Sequence, residues 1–156
     1  MKKIFFLLLF LPLSFMFSCT KDDDLAQVDL TLTLDNVTEL NGNFYTISGN
    51  EISIEGVDVK SLNGKPATIT NVIFYFEGRP IAVLPGYMAT GEINTSGLKD
   101  GTYTLSLTGQ VLEEGKTITD IAANYSLTIV SNEENIPEEA PEIGTYSVTY
   151  RIDAHK

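Results

Sequence analysis

Few side chains in this chain of 156 residues could do chemistry. His155 is the sole histidine and Cys19 the sole cysteine. An imidazole can act as acid, base or metal ligand, but those roles need it held rigidly. His155 stands within two residues of the end, where chains are usually mobile. With this near-terminal residue the sole histidine, no Ser–His, Cys–His or multi-histidine zinc site is expected. The 21 carboxylates could supply the acid–base pair of glycoside hydrolysis, but no sequence context singles any of them out. Gly42, Gly64 and Gly101 read as turn residues, and no phosphate-cradling glycine loop is present. The expectation is a non-enzyme with no catalytic residue, no metal and no cofactor.

Cys19 stands apart because of what precedes it. Lys2 and Lys3 lead into Ile4–Phe17, which is apolar except for Pro12 and Ser14. That run is short for a membrane-spanning helix, which needs about 20 residues, and fits the apolar region of a secretory signal. Residues 1–18 are therefore read as a signal peptide and set apart from folding. Met16-Phe17-Ser18-Cys19 resembles a lipobox, with methionine in place of the usual leucine and Phe17 in place of a small residue. The resemblance implies cleavage before Cys19 and a lipid on its sulfur, which would anchor the chain to a membrane. Ordinary signal cleavage with an incidental cysteine is the alternative.

Lys21-Asp22-Asp23-Asp24 follows at once, within a short segment 19–25. The aspartates lack the spaced ligands and glycine of a calcium loop. They read as a solvated tether. The stretch also resembles the export signal of Bacteroidetes-type surface lipoproteins, which implies an outer-membrane protein facing the cell exterior; the periplasmic face is the alternative. Net charge is −11, or −13 once Lys2 and Lys3 are removed. Such a surface repels phosphate backbones, so nucleic acid is set aside as a partner.

The elements downstream read as strands. Val28, Leu30, Leu32 and Leu34 alternate with Asp29, Thr31 and Thr33, the period of a half-buried strand. Glu51–Val59 repeats this, with Glu55-Gly56 marking a bulge. Thr68–Glu77 is dense in β-branched and aromatic residues; Val72, Phe74 and Phe76 share one face, Ile73 and Tyr75 the other. Pro80–Leu84, Thr102–Leu112 and Thr117–Val130 complete the set. Turn signals at Asn41-Gly42, Asn63-Gly64, Gly78-Arg79 and Glu114-Gly115 separate them. No segment keeps a 3.6-residue period. The pattern predicts one all-β domain over 26–130. An acidic, proline-bearing linker follows at 131–143, then a strand and tail at 144–156. That last strand could pair with its own sandwich, fray, or add to a neighbour's open sheet edge.

Val72-Ile73-Phe74-Tyr75-Phe76-Glu77-Gly78-Arg79-Pro80-Ile81 and Leu98-Lys99-Asp100-Gly101-Thr102-Tyr103-Thr104-Leu105 resemble bacterial immunoglobulin-like domains of cell-surface proteins. The resemblance spans Val72 to Val130, a little over half of the mature domain. It implies an immunoglobulin-like antiparallel β-sandwich of about seven to nine strands. Leu98, Asp100, Gly101 and Tyr103 would form a tyrosine corner, in which the phenol bonds backbone a few residues upstream. Leu105 stands where antibody domains place a cysteine. Ile73 and Tyr75 are candidate binding contacts if no other layer covers them. Tyr87-Met88 could be a loop tip or a core piece. Three functions fit: a non-catalytic surface binding module for a protein or glycan, an accessory glycan-binding lipoprotein of an outer-membrane uptake system, or a structural subunit assembled by strand addition.

Overall fold

A computed structural model of the chain describes residues 25–85 and 91–152. Cys19, Lys21, Asp22, Asp23, Asp24, Tyr87, Met88 and His155 lie outside these residues.

Nine strands make two packed layers: β1 Val28–Leu40, β2 Asn43–Ile47, β3 Glu51–Ser61, β4 Ala67–Phe76, β5 Arg79–Pro85, β6 Gly91–Asn94, β7 Gly101–Glu113, β8 Thr119–Val130 and β9 Gly144–Ile152. The first sheet runs β6-β3-β1-β9 and the second β5-β4-β7-β8-β2. Every pair is antiparallel except one, because β2 runs parallel to β8. The cause is β1, which belongs to both layers. Its first part pairs with β3 and β9, while Thr38–Leu40 pairs with β2 in the second sheet. The switch falls at Asn36, which takes a left-handed φ of 62°. Asparagine tolerates that region, and a bend of this kind is how strands change sheets.

Alternation decides which residues form the core. Val28, Leu30, Leu32 and Leu34 of β1 face Val72 and Phe74 of β4, Leu105 and Leu107 of β7, and Leu127 and Ile129 of β8 across one buried cluster. Phe44 and Tyr125 add two more rings to that of Phe74, with centroids 6.4 Å apart. Two tight hairpins, at Asn41-Gly42 and Glu77-Gly78, have positive φ at both central residues. This is the two-residue turn whose twist matches the strands it joins. Opposite β1, the register skips Glu55 between Ile54 and Gly56, so the bulge read from the glycine is present.

The sandwich does not stop at Val130, where the sequence reading ended it. After a single 3-10 turn at Glu133–Asn135, β9 pairs with β1 from Val28↔Ile152 to Val37↔Gly144. Of its three readings, pairing within its own sandwich is the one observed. The reason is that β1 would otherwise leave the edge of the first sheet open. Ladder bonds and the half-buried Tyr146, Val148 and Ile152 fill it.

Candidate binding face

The outer face of the second sheet is built from every other residue of β4, β7 and β8. β7 supplies Thr102, Thr104, Ser106 and Thr108, and β8 supplies Thr128, Ser126, Asn124 and Ala122 directly opposite them. Thr102 and Thr128 share a hydroxyl–hydroxyl bond of 3.0 Å. Ile73 lies between Val83 of β5 and Thr108 of β7, and Tyr75 between Pro80 and Ser106. Both are half-buried, while Val83 is 69% exposed. Among the described residues no layer covers this face, because β9 lies in the other sheet. The result is a short apolar ridge of Ile73, Tyr75 and Val83 beside a field of hydroxyls and carboxamides.

Next to Ile73 the face dips into a shallow depression lined by Asn71, Thr108, Gln110 and Asp120. Its polar rim is wired. Asn71 Nδ2 donates to Gln110 Oε1 at 3.0 Å, and Gln110 Nε2 donates to Asp120 Oδ1 at 2.8 Å. The dip exists because β4 bulges at Thr70, where the register skips from Ile69 to Asn71. The bulge pushes the Asn71 carbonyl towards β7, and a Cβ on Gly109 would sit 2.3 Å from that oxygen. Only glycine fits there. The sequence signal was a glycine in mid-strand, a common mark of close backbone approach, and the alternation of Thr102–Leu112 hid it.

The corner residues lie at one end of the sandwich. Tyr103 Oη donates to the Lys99 carbonyl at 2.7 Å, its ring stacks on Phe76 at 5.6 Å, and Leu98 packs on the core. Gly101 has a φ of 155°. Asp100 accepts bonds from the Ser131 amide at 2.9 Å and the Ser131 hydroxyl at 2.5 Å. Those bonds hold its carboxyl below the usual carboxylate range. A second corner was missed. Tyr146 Oη donates to the Glu142 carbonyl at 2.7 Å, again four residues upstream. The signal was in the sequence, since Gly144-Thr145-Tyr146 repeats Gly101-Thr102-Tyr103.

At the opposite end, Glu113 is fully buried. Its Oε1 accepts from Ser61 Oγ at 2.5 Å and from Asn63 Nδ2 at 3.3 Å, and Oε2 has no partner. The arrangement pins the β3–β4 turn to the end of β7. No imidazole lies among the described residues to make the Ser61 hydroxyl a nucleophile. Nor does any group of three or more His, Cys, Asp or Glu side chains converge among them. No family model matches the chain, and no curated protein matches it.

Proposed function

We propose that this chain is a non-catalytic, lipid-anchored binding module of the bacterial outer membrane, and that it docks its partner on the outer face of the second sheet. The observation that carries the reading is the ridge of Ile73, Tyr75 and Val83, uncovered among the described residues and flanked by hydrogen-bonding side chains. Apolar anchors with a polar surround are the usual anatomy of a contact patch. Lys2–Cys19 supports the anchor, and Lys21–Asp24 supports exposure to the outside.

The depression beside the ridge favours a second reading, in which the partner is a neutral glycan. Asn71, Gln110 and Asp120 offer donors and acceptors already oriented by one another, and Tyr75 offers a ring. Insertion of the C-terminal strand by itself into a neighbour's sheet receives less support, because β9 would first have to leave β1.

Two measurements test the proposal. Protease added to intact cells should remove an epitope-tagged chain; full protection until lysis would place it in the periplasm and overturn the surface reading. A photo-crosslinking residue at Val83 should then yield a discrete adduct on cells, and the same residue at Lys60, on the opposite sheet, should not. Equal labelling at both positions would sink the assigned face. Affinity electrophoresis in neutral polysaccharides decides the second reading, which requires retardation that Tyr75→Ala abolishes.

A further inference from the structure

Among the described residues the outermost strands β5, β6 and β9 leave an edge unpaired, as do β3 beyond Ile54, which carries Asp58 and Lys60, and β8 before Ser126, which carries Asp120. β5 carries Pro80 and Pro85, and proline cannot donate to a new ladder. β6 has only four residues and presents Glu92, and short or charged edges resist pairing. β9 is longer, and its one charge, Arg151, is paired with Asp29 of β1. It is nine residues long, holds no proline and no carboxylate, and among the described residues pairs on one side only. Its sequence, Gly-Thr-Tyr-Ser-Val-Thr-Tyr-Arg-Ile, is rich in β-branched and aromatic residues.

We propose that the free edge of β9 pairs with the same edge of a second copy of this chain, antiparallel about a two-fold axis at Val148. Symmetry fixes much of the register. In an antiparallel pair, directly opposed side chains share a face, so a two-fold axis can only match residues of like parity. Centring on Val148 places Val148 opposite itself, Tyr146 opposite Tyr150, Ser147 opposite Thr149 and Thr145 opposite Arg151. No like charges meet. That matters in a chain of net charge −11, where most other surfaces would repel a second copy. Tyr150, 41% exposed and packed edge-on against Tyr125, gains an aromatic neighbour. The two first sheets become one continuous sheet of eight strands.

The test uses the full chain in detergent. Val148→Cys opposes itself across the axis at a spacing that suits a disulfide. Mild oxidation should therefore convert it to a covalent dimer. The parent, with Cys19 alone, and Val83→Cys on the proline-blunted edge should stay largely monomeric. Charge at the flanking pair then separates pairing from folding. Ser147→Lys with Thr149→Lys sets lysine against lysine twice, and should cut the Val148→Cys cross-link several-fold. Ser147→Lys with Thr149→Glu sets opposite charges there, and should return it to the level of Val148→Cys alone. Both double variants lose the same hydroxyl bonds to Thr33 and Thr31, so a fold defect would affect them alike. Cross-linking of Val148→Cys no greater than that of Val83→Cys overturns the proposal. So does equal cross-linking in the two charge variants.

Discussion

Tyr103 and Tyr146 carry out the same task at two places. Each phenol reaches back four residues and satisfies a carbonyl where the chain turns into a strand. A hydrogen bond of this kind contributes about 0.5–1.5 kcal/mol. Tyr103→Phe and Tyr146→Phe should each lose roughly that much in urea unfolding, with the m-value unchanged; no loss would mean that ring packing alone sets the corner. Gly109 makes a sharper case. Gly109→Ala must push the Asn71 backbone aside, and overpacking typically costs about 1–3 kcal/mol. Gly56→Ala meets no heavy atom within 4 Å and should stay within about 0.5 kcal/mol of the parent. Equal effects at the two glycines would refute the close-approach account. Asp100 adds a pH dependence. Ser131 depresses its carboxyl in the folded state from 3.8, so the unfolded chain takes up the proton first as pH falls. The stabilisation is present above 3.8 and is lost as pH drops through the lower folded value. Asp100→Asn should flatten the acid limb of a plot of denaturation midpoint against pH, and leave the limb above pH 5 parallel to that of the parent.

At the scale of elements, β9 is the strand that finishes the molecule. Its outward side chains form a row of polar pairs with β1: Thr145 with Asp35 at 2.7 Å, Ser147 with Thr33, Thr149 with Thr31, and Arg151 bidentate on Asp29 at 2.9 and 3.1 Å. The guanidinium also lowers the Asp29 carboxyl below its ordinary range. Such an exposed ion pair contributes only about 0.2–1 kcal/mol. The larger share comes from Tyr146, Val148 and Ile152, half-buried against the core. At half of the roughly 1.5–3 kcal/mol for a fully buried side chain, a chain ending at Ile143 should lose about 2–4 kcal/mol and expose the edge of β1. Unchanged stability would show β9 to be an accessory. The strands of β3, β4 and β7 were legible because their alternation is local and each has one buried face. The bulge at Gly56 and the corner at Tyr103 were legible because glycine and tyrosine mark them. The return of β9 was not, since its pairing with β1 spans over a hundred residues and its pattern suits a partner's edge equally well. β2 and β6 are too short to show a period. The bulge at Thr70 left its trace in the partner strand, at Gly109. The sheet switch in β1 rests on one asparagine whose left-handed φ no periodicity reveals.

At the scale of the molecule, strand directions sort the two ends. The start of β1, the Ser61–Pro66 turn, the end of β7 and Ile152 lie together, tied by Leu62 N to Gln27 O and by Ser61 to Glu113. The Glu77-Gly78 turn, the corner at Lys99–Tyr103 and the start of the 131–143 linker lie at the other, tied by Glu77 N to Thr104 O and by Ser131 to Asp100. A lone domain hung from a lipid on Cys19 would stand upright, with the Ser61–Pro66 end near the bilayer. The two-fold pair proposed above cannot stand this way, because its copies run antiparallel. Both tethers reach one membrane only if the axis is normal to it, so that the sheets lie flat. On the proposed anchor the tether would lead into β1, a strand of the first sheet, and with that sheet towards the lipid the Ile73–Tyr75–Val83 ridge of both copies would face outwards. This orientation has a measurable consequence. In vesicles carrying a headgroup quencher, fluorophores at Lys65→Cys and at Asn135→Cys of the lipidated chain should be quenched to similar degrees. Adding Ser147→Lys with Thr149→Lys should make quenching unequal, stronger at position 65. Unequal quenching that the lysine pair leaves unchanged would mean that an upright monomer is the form at the membrane.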